Sequence, residues 1–129
     1  MKKRTFKKLV TGMAIGLLFS TTLVYGGNTI PYSFTLNPTQ VAYSSYAYKT
    51  VDDQRVYIKQ SSSGSVIEYT VVNVSNVAQT EPITFNGADS EFIPYKNQMA
   101  TNISLRLKVY NDPAKNAGGI RNASGSWVP

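Results

Sequence analysis

Few side chains of this chain could act as a nucleophile or as a general acid or base, because its 129 residues include no histidine and no cysteine. Their absence excludes thiol nucleophiles, Ser-His-Asp triads and histidine-ligated zinc. A Ser-x-x-Lys dyad is also missing beyond residue 26, since no lysine there follows a serine by three positions. Carboxylates are therefore what remains for acid–base work.

A pair of carboxylates is enough for a glycosidase, so these residues define the enzymatic alternative. Asp52 and Asp53 are adjacent, and adjacent side chains of an extended chain point to opposite faces. A domain of about 100 residues also offers little scaffold for a deep catalytic cleft. We therefore expect no enzyme activity and predict no catalytic residue, with a small carboxylate-dependent hydrolase as an alternative. The seven carboxylates are Asp52, Asp53, Glu68, Glu81, Asp89, Glu91 and Asp112.

The stretch from Asn86 to Glu91 places several oxygen ligands around Gly87, as calcium loops do. It lacks the Asp-x-Asp-x-Asp-Gly spacing of an EF-hand. Ordinary polar turns have the same composition. We interpret this stretch as a turn, and we predict no metal site and no cofactor.

Tyrosine is the residue type that indicates a binding function, and eight tyrosines lie beyond residue 26. A tyrosine joins an apolar ring to a hydroxyl, so exposed tyrosines favour protein, peptide or sugar partners. The alternative is that these rings are ordinary half-buried strand residues. A cation beside a ring adds a further contact for a partner. The candidate binding residues are Tyr43, Tyr46, Tyr48, Tyr57, Arg106, Lys108 and Tyr110.

The clearest structural element runs from Asn102 to Asn111, where apolar and polar residues alternate strictly. A two-residue period predicts a β-strand. Its core face would hold Ile103, Leu105, Leu107 and Val109, and its outer face Ser104, Arg106, Lys108 and Tyr110. We expect a polar substitution on the core face to unfold the protein.

Several other short segments have strand character and are separated by turn signals, which indicates an all-β fold. We predict a hairpin from residues 55–60 and 66–74, edge strands near Pro82 and Pro94, and a disordered loop over 114–119. Trp127 is predicted to fill the core. The fold expected is a small antiparallel β-sandwich, with a small barrel as the alternative. The other segments with strand character are 30–36, 41–48, 81–85 and 91–95.

The first 26 residues have the three parts of a secretory signal peptide. A cationic start precedes an apolar run over 9–19 and a small-residue exit at Val24-Tyr25-Gly26. A retained transmembrane anchor is the alternative, but Gly12, Gly16 and three polar residues interrupt the run. We predict cleavage after Gly26 and one β domain over 27–129, with flexible first residues.

Subtracting this leader changes the meaning of the net charge of +6. Five cations lie in the first eight residues, and the rest of the chain carries eight cations and seven anions, a net charge of +1. A nearly neutral domain has no field to recruit nucleic acid. Export without cysteine fits a bacterial route, so we expect release into the medium or loose retention at the cell envelope, with membrane contact only during export.

A lysine-rich leader, Tyr32-Ser33-Phe34, the strand from Asn102 to Tyr110 and Gly125-Ser126-Trp127 together make the chain resemble small, uncharacterised secreted β-rich families of Gram-positive, bacillus-like bacteria. The resemblance implies a secreted β protein and transfers no site residue. We expect a non-catalytic extracellular protein that binds a protein, peptide or cell-wall partner. A secreted antagonist, either bacteriocin-like or a hydrolase inhibitor, is the other alternative.

Overall fold

A computed structural model describes residues 27–61, 65–116 and 118–129, and within them nine strands form two antiparallel sheets. The signal peptide predicted over residues 1–26 lies outside this part of the chain. One short helix, α1, spans Pro113–Asn116. The strands are β1 (Ile30–Leu36), β2 (Val41–Tyr43), β3 (Ala47–Tyr48), β4 (Arg55–Gln60), β5 (Val66–Asn73), β6 (Ile83–Asn86), β7 (Asp89–Pro94), β8 (Ser104–Tyr110) and β9 (Arg121–Val128).

The two sheets pack face to face as a sandwich and do not close into a barrel. The first sheet has the order β1-β9-β4-β7. The second has the order β2-β8-β5-β6, and β3 also pairs with β8. The predicted fold class is confirmed, and the edge positions expected near Pro82 and Pro94 are those of β6 and β7.

The core lies between the sheets and is built from the alternating faces of their strands. Leu105, Leu107 and Val109 of β8 are fully buried, as the alternation predicted. Trp127 is fully buried as well, which confirms its predicted place in the core. The prediction for Ile103 was wrong, because β8 begins at Ser104 and the Ile103 side chain is 38% exposed.

The predicted hairpin between β4 and β5 does not form, because the two strands belong to different sheets. Both sides of β4 are already occupied, by β7 and by β9. The buried Gln60 stabilises the crossover instead: its Nε2 donates to the carbonyls of Ser65 (3.1 Å) and Gly87 (2.7 Å). Its Oε1 accepts a hydrogen bond from the Tyr69 hydroxyl at 2.6 Å.

Strand β9 was not predicted, although it is the second strand of its sheet and pairs with both β1 and β4. Its sequence is rich in serine and contains Gly125, which gives it low strand propensity. The glycine is required by close packing, since a Cβ there would lie 1.9 Å from the Lys59 carbonyl oxygen.

Two other predicted segments differ from the structure. The single strand expected over 41–48 is divided into β2 and β3. The loop predicted to be disordered over 114–119 includes most of α1, whose Asn116 is buried. Asn116 Nδ2 donates to the carbonyl of Val66 (2.6 Å) and to Oδ1 of Asn111 (2.8 Å), so its amide joins α1 to the sandwich.

Candidate functional site

A bulge in the edge of the second sheet positions the candidate binding residues. Tyr43 pairs with Lys108 and Ala47 pairs with Leu105, so three residues of the edge oppose two of β8. Ser44 closes the bulge: its N–H donates to the Leu107 carbonyl, and its Oγ accepts from the Leu107 N–H, both at 2.9 Å. An extra residue re-aims the side chains beside it.

The result is a tyrosine–arginine cluster made of Tyr43, Tyr46, Arg106 and Asn76. The Arg106 guanidinium carbon lies 3.9 Å from the centre of the Tyr43 ring and 4.8 Å from that of Tyr46. Its Nη2 donates to Asn76 Oδ1 at 2.6 Å, whereas its Nε is buried with no hydrogen-bond partner within residues 27–61, 65–116 and 118–129. Stacking on two rings holds the guanidinium plane in one orientation.

Asn76 was not predicted as a site residue. It lies in the turn after β5 with φ of 60°, a left-handed conformation that asparagine tolerates better than most residues. Oδ1 of Asn73 shapes this turn by accepting from the N–H groups of Ser75 and Val77, both at 3.0 Å. Asparagines at 73 and 76 are compatible with a turn, but nothing in the local sequence indicates that this turn lies beside Arg106.

Exposed apolar side chains lie at the same end of the second sheet as this cluster. Among the described residues, seven large apolar side chains are exposed, and five of them lie at the end of the second sheet where β8 begins. Tyr46 is 45% exposed and Tyr48 64%. The surface is therefore aromatic and aliphatic around a single stacked cation. The five are Tyr46, Tyr48, Val74, Val77 and Ile103.

Lys108 and Tyr110 continue the same outer face along β8, and both are half-buried. Lys108 is opposite Tyr43 on one side and Thr70 on the other. Tyr110 is opposite Glu68, the carboxylate on this face of β5. Six of the seven predicted binding residues thus lie on one face of the second sheet.

Tyr57 does not join them, because β4 belongs to the first sheet and Tyr57 lies on the outer face of that sheet. Its ring lies 5.0 Å from the ring of Phe92, which also has the Arg55 guanidinium 4.4 Å from its centre. The sequence grouped Tyr57 with the other tyrosines by residue type, whereas the sandwich places it on the opposite side of the molecule.

A buried lysine was also missed. Lys49 is fully buried, and its Nζ donates to the carbonyls of Val51 and Asp53 and lies 5.4 Å from the centre of the Tyr95 ring. Burial lowers the pKa of its ammonium, an effect that the nearby charges of Asp53 and Asp52 oppose. Because the protons of Nζ are directed at backbone carbonyls, this lysine is arranged to fix the 49–53 loop.

Asp53, one of the two adjacent carboxylates, is held in an ion pair. Asp53 is bound by Arg55, with Oδ1 accepting from Nε at 3.0 Å and Oδ2 from Nη2 at 2.9 Å. The Arg55 hydrogen bonds lower the pKa of this carboxyl, with burial acting against them. A general acid requires a raised pKa instead.

Within the described residues, no group of three or more Asp, Glu, His or Cys side chains could hold a metal ion. No helix in that part of the chain is long and apolar enough to cross a membrane. Comparison of the chain with protein-family models, with curated proteins and with solved structures found no match in any of the three.

Proposed function

We propose that this protein is exported by its leader and acts outside the cell by binding, without catalysis, through the outer face of its second sheet. The observation that carries the proposal is the tyrosine–arginine cluster, in which the exposed Tyr46 ring lies against the guanidinium of Arg106. Tyr48 is exposed on the same edge, opposite Ser104. Tyrosine and arginine are the residue types enriched at protein interfaces and at their energetic hot spots.

The composition of this surface favours a protein or peptide at the cell surface over a bare glycan. The cluster is bordered by Val77, Val74 and Ile103, whose branched aliphatic side chains suit apolar side chains of a partner. Arg106 already has its guanidinium oriented by two rings and Asn76, so little conformational entropy is lost when a partner binds it.

The test measures binding of the purified protein to isolated walls of a Gram-positive bacterium, before and after protease treatment of the walls. Replacing Tyr46 and Tyr48 together by serine is expected to weaken binding at least about tenfold, since exposed hot-spot aromatics each contribute 1 kcal/mol or more. Protease treatment of the walls is expected to remove binding.

Tyr57→Ser is the matched control, because it removes the same ring from the other sheet. Unchanged binding by the Tyr46 and Tyr48 double variant contradicts the proposed surface. Growth inhibition of neighbouring strains by the protein would favour the alternative that it is a secreted antagonist. Glycan hydrolysis that is lost in Glu68→Gln or Asp89→Asn would favour the hydrolase.

Export is tested separately, by expressing the gene in a bacillus-like host and analysing the medium by mass spectrometry. The expected species begins at Gly27. An uncut chain in the membrane fraction, with no such species in the medium, would contradict export and favour a retained anchor.

A further inference from the structure

The two lateral edges of the sandwich differ in charge. On one side, β6 and β7 lie next to each other and are bordered by Pro82, Pro94, Asp89 and Glu91, and both carboxylates are exposed. Exposed charges of this kind prevent a free edge from pairing with another chain. On the other side, β1 lies next to β2, and residues 27–48, which include β1, β2 and β3, contain no charged side chain.

Strand β1 is the longer of the two edge strands of its sheet, with seven residues. The Ser61 N–H donates to the Ser124 carbonyl at 2.7 Å, so the backbone of Ser124 faces β4. The backbone of Ala123 and Gly125, which alternate with it, therefore faces Phe34 and Tyr32 of β1.

The polar backbone groups of Pro31, Ser33 and Thr35 consequently point away from β9, toward the free edge. The side chains of all three residues are exposed. Proline lacks an N–H, and it is tolerated in an edge strand where that group would face outward. Two N–H groups and three carbonyls are thus available to another strand, since no strand within the described residues pairs with this side of β1.

The core is also less well covered at this edge. In the part of the chain that the structure describes, four apolar residues that pack against the core remain only partly buried, and three of them, Ile30, Phe34 and Ala42, belong to β1 and β2. A strand placed beside β1 would cover apolar area here and would also satisfy the backbone groups. An uncharged edge can meet an identical edge without repulsion.

We infer that two copies of this chain pair through β1, antiparallel about a twofold axis at Ser33, to form a continuous eight-stranded sheet. The two Ser33 residues exchange N–H to carbonyl hydrogen bonds, and each Thr35 N–H donates to the Pro31 carbonyl of the second copy. A twofold contact of this kind is self-complementary and closed, so it produces a dimer and not a fibre.

Sedimentation velocity of the purified protein between about 1 and about 200 µM tests this pairing, because dimerisation follows mass action. The expected result is a dimer whose population rises with concentration. Ser33→Lys places two like charges at the axis and is expected to weaken dimerisation at least about tenfold. Thr35→Pro removes a donor that faces only the free edge, and it should weaken dimerisation in the same direction.

Asn122→Lys is the control, since it adds the same charge to the same exposed face but on β9, opposite Thr35. Circular dichroism verifies that each variant is folded. A monomer over the whole concentration range overturns the inference, as does a dimer that both Ser33→Lys and Thr35→Pro leave intact. The two proposals are tested separately, because binding of Ser33→Lys to cell walls measures the proposed function, whereas its oligomeric state measures the dimer.

Discussion

The buried tyrosine hydroxyls of this sandwich differ in their hydrogen bonding. The Tyr69 hydroxyl donates to Gln60 Oε1 and lies 3.0 Å from the Tyr32 hydroxyl, which is also 2.8 Å from the Lys59 carbonyl. The Tyr95 hydroxyl is buried without a hydrogen-bond partner among the described residues. Burying a polar group is costly unless it is hydrogen-bonded, so the two hydroxyls should contribute to stability with opposite signs.

Replacing each of these tyrosines by phenylalanine measures that difference. Tyr69→Phe leaves Gln60 Oε1 without its donor and is expected to lower the free energy of unfolding by about 1 to 3 kcal/mol. Tyr95→Phe removes an unsatisfied hydroxyl and is expected to leave that free energy unchanged or raise it by about 1 kcal/mol. Urea unfolding checks both values, and equal destabilisation by the two variants would contradict the assignment.

At the proposed binding surface, the sequence offered Arg106 and the tyrosines as candidates by residue type and by alternation on β8. It could not show that Tyr43 and Tyr46 both stack on Arg106, because their approach depends on the bulge closed by Ser44. Tyr57 was grouped with them for lack of any local signal that β4 and β8 lie in different sheets.

At the scale of the elements, the alternation of apolar and polar residues was enough to predict where strands form. It was not enough to predict which strands pair with each other. Strands β1, β4 and β5 follow the predicted segments closely, and β8 lies within its own, because alternate apolar residues of each strand pack into the core. The β4–β5 hairpin failed because a short polar connection is compatible both with a hairpin and with a crossover between sheets. Strand β9 has weak propensity and is held by its neighbours on both sides.

The tight approach of β4 to β9 makes Gly125 the residue on which their pairing depends. Gly125→Ala places a Cβ 1.9 Å from the Lys59 carbonyl oxygen, so the strands must separate. We expect a loss of about 3 kcal/mol in the free energy of unfolding, measured by urea denaturation.

Gly118→Ala serves as the comparison for that variant. Its φ of +73° is unfavourable for alanine, but an added Cβ has no neighbour within 4 Å. We expect it to cost about 1 kcal/mol, the strain of a left-handed residue alone. If Gly125→Ala were no more destabilising than Gly118→Ala, the close contact would not be what requires glycine in β9.

On the scale of the whole molecule, one lateral edge of the sandwich is uncharged and the other carries exposed carboxylates, while the outer face of the second sheet has exposed apolar side chains at one end. The tyrosine–arginine cluster lies on the outer face of the second sheet, whereas the uncharged β1 edge belongs to the first. A dimer through β1 would therefore present two binding faces, and a partner displayed in many copies on a cell wall would be bound with higher avidity.

The stability of the whole sandwich is expected to fall in alkaline solution because of its buried tyrosines. Burial raises the pKa of Tyr32, Tyr69 and Tyr95 above the ordinary value. Above pH of about 10 the unfolded chain releases phenol protons that the folded chain retains, so each tyrosine removes about 1.4 kcal/mol of stability per pH unit. The contribution is complete below that pH and is lost as the pH rises toward the folded pKa values.

Lys49 has the opposite effect on stability, in a pH range below that of the tyrosines. Burial lowers the pKa of its ammonium, so between that lowered pKa and about 10.4 the unfolded chain holds a proton that the folded chain has released, and stability rises with pH.

Urea midpoints measured from pH 8 to about 11.5 should therefore rise slightly and then fall steeply above about 10. Tyr95→Phe should reduce the steep slope by about one third, because it removes one of three such phenols. Midpoints that stay level above pH 10 would mean that these phenols titrate alike in the folded and unfolded chain.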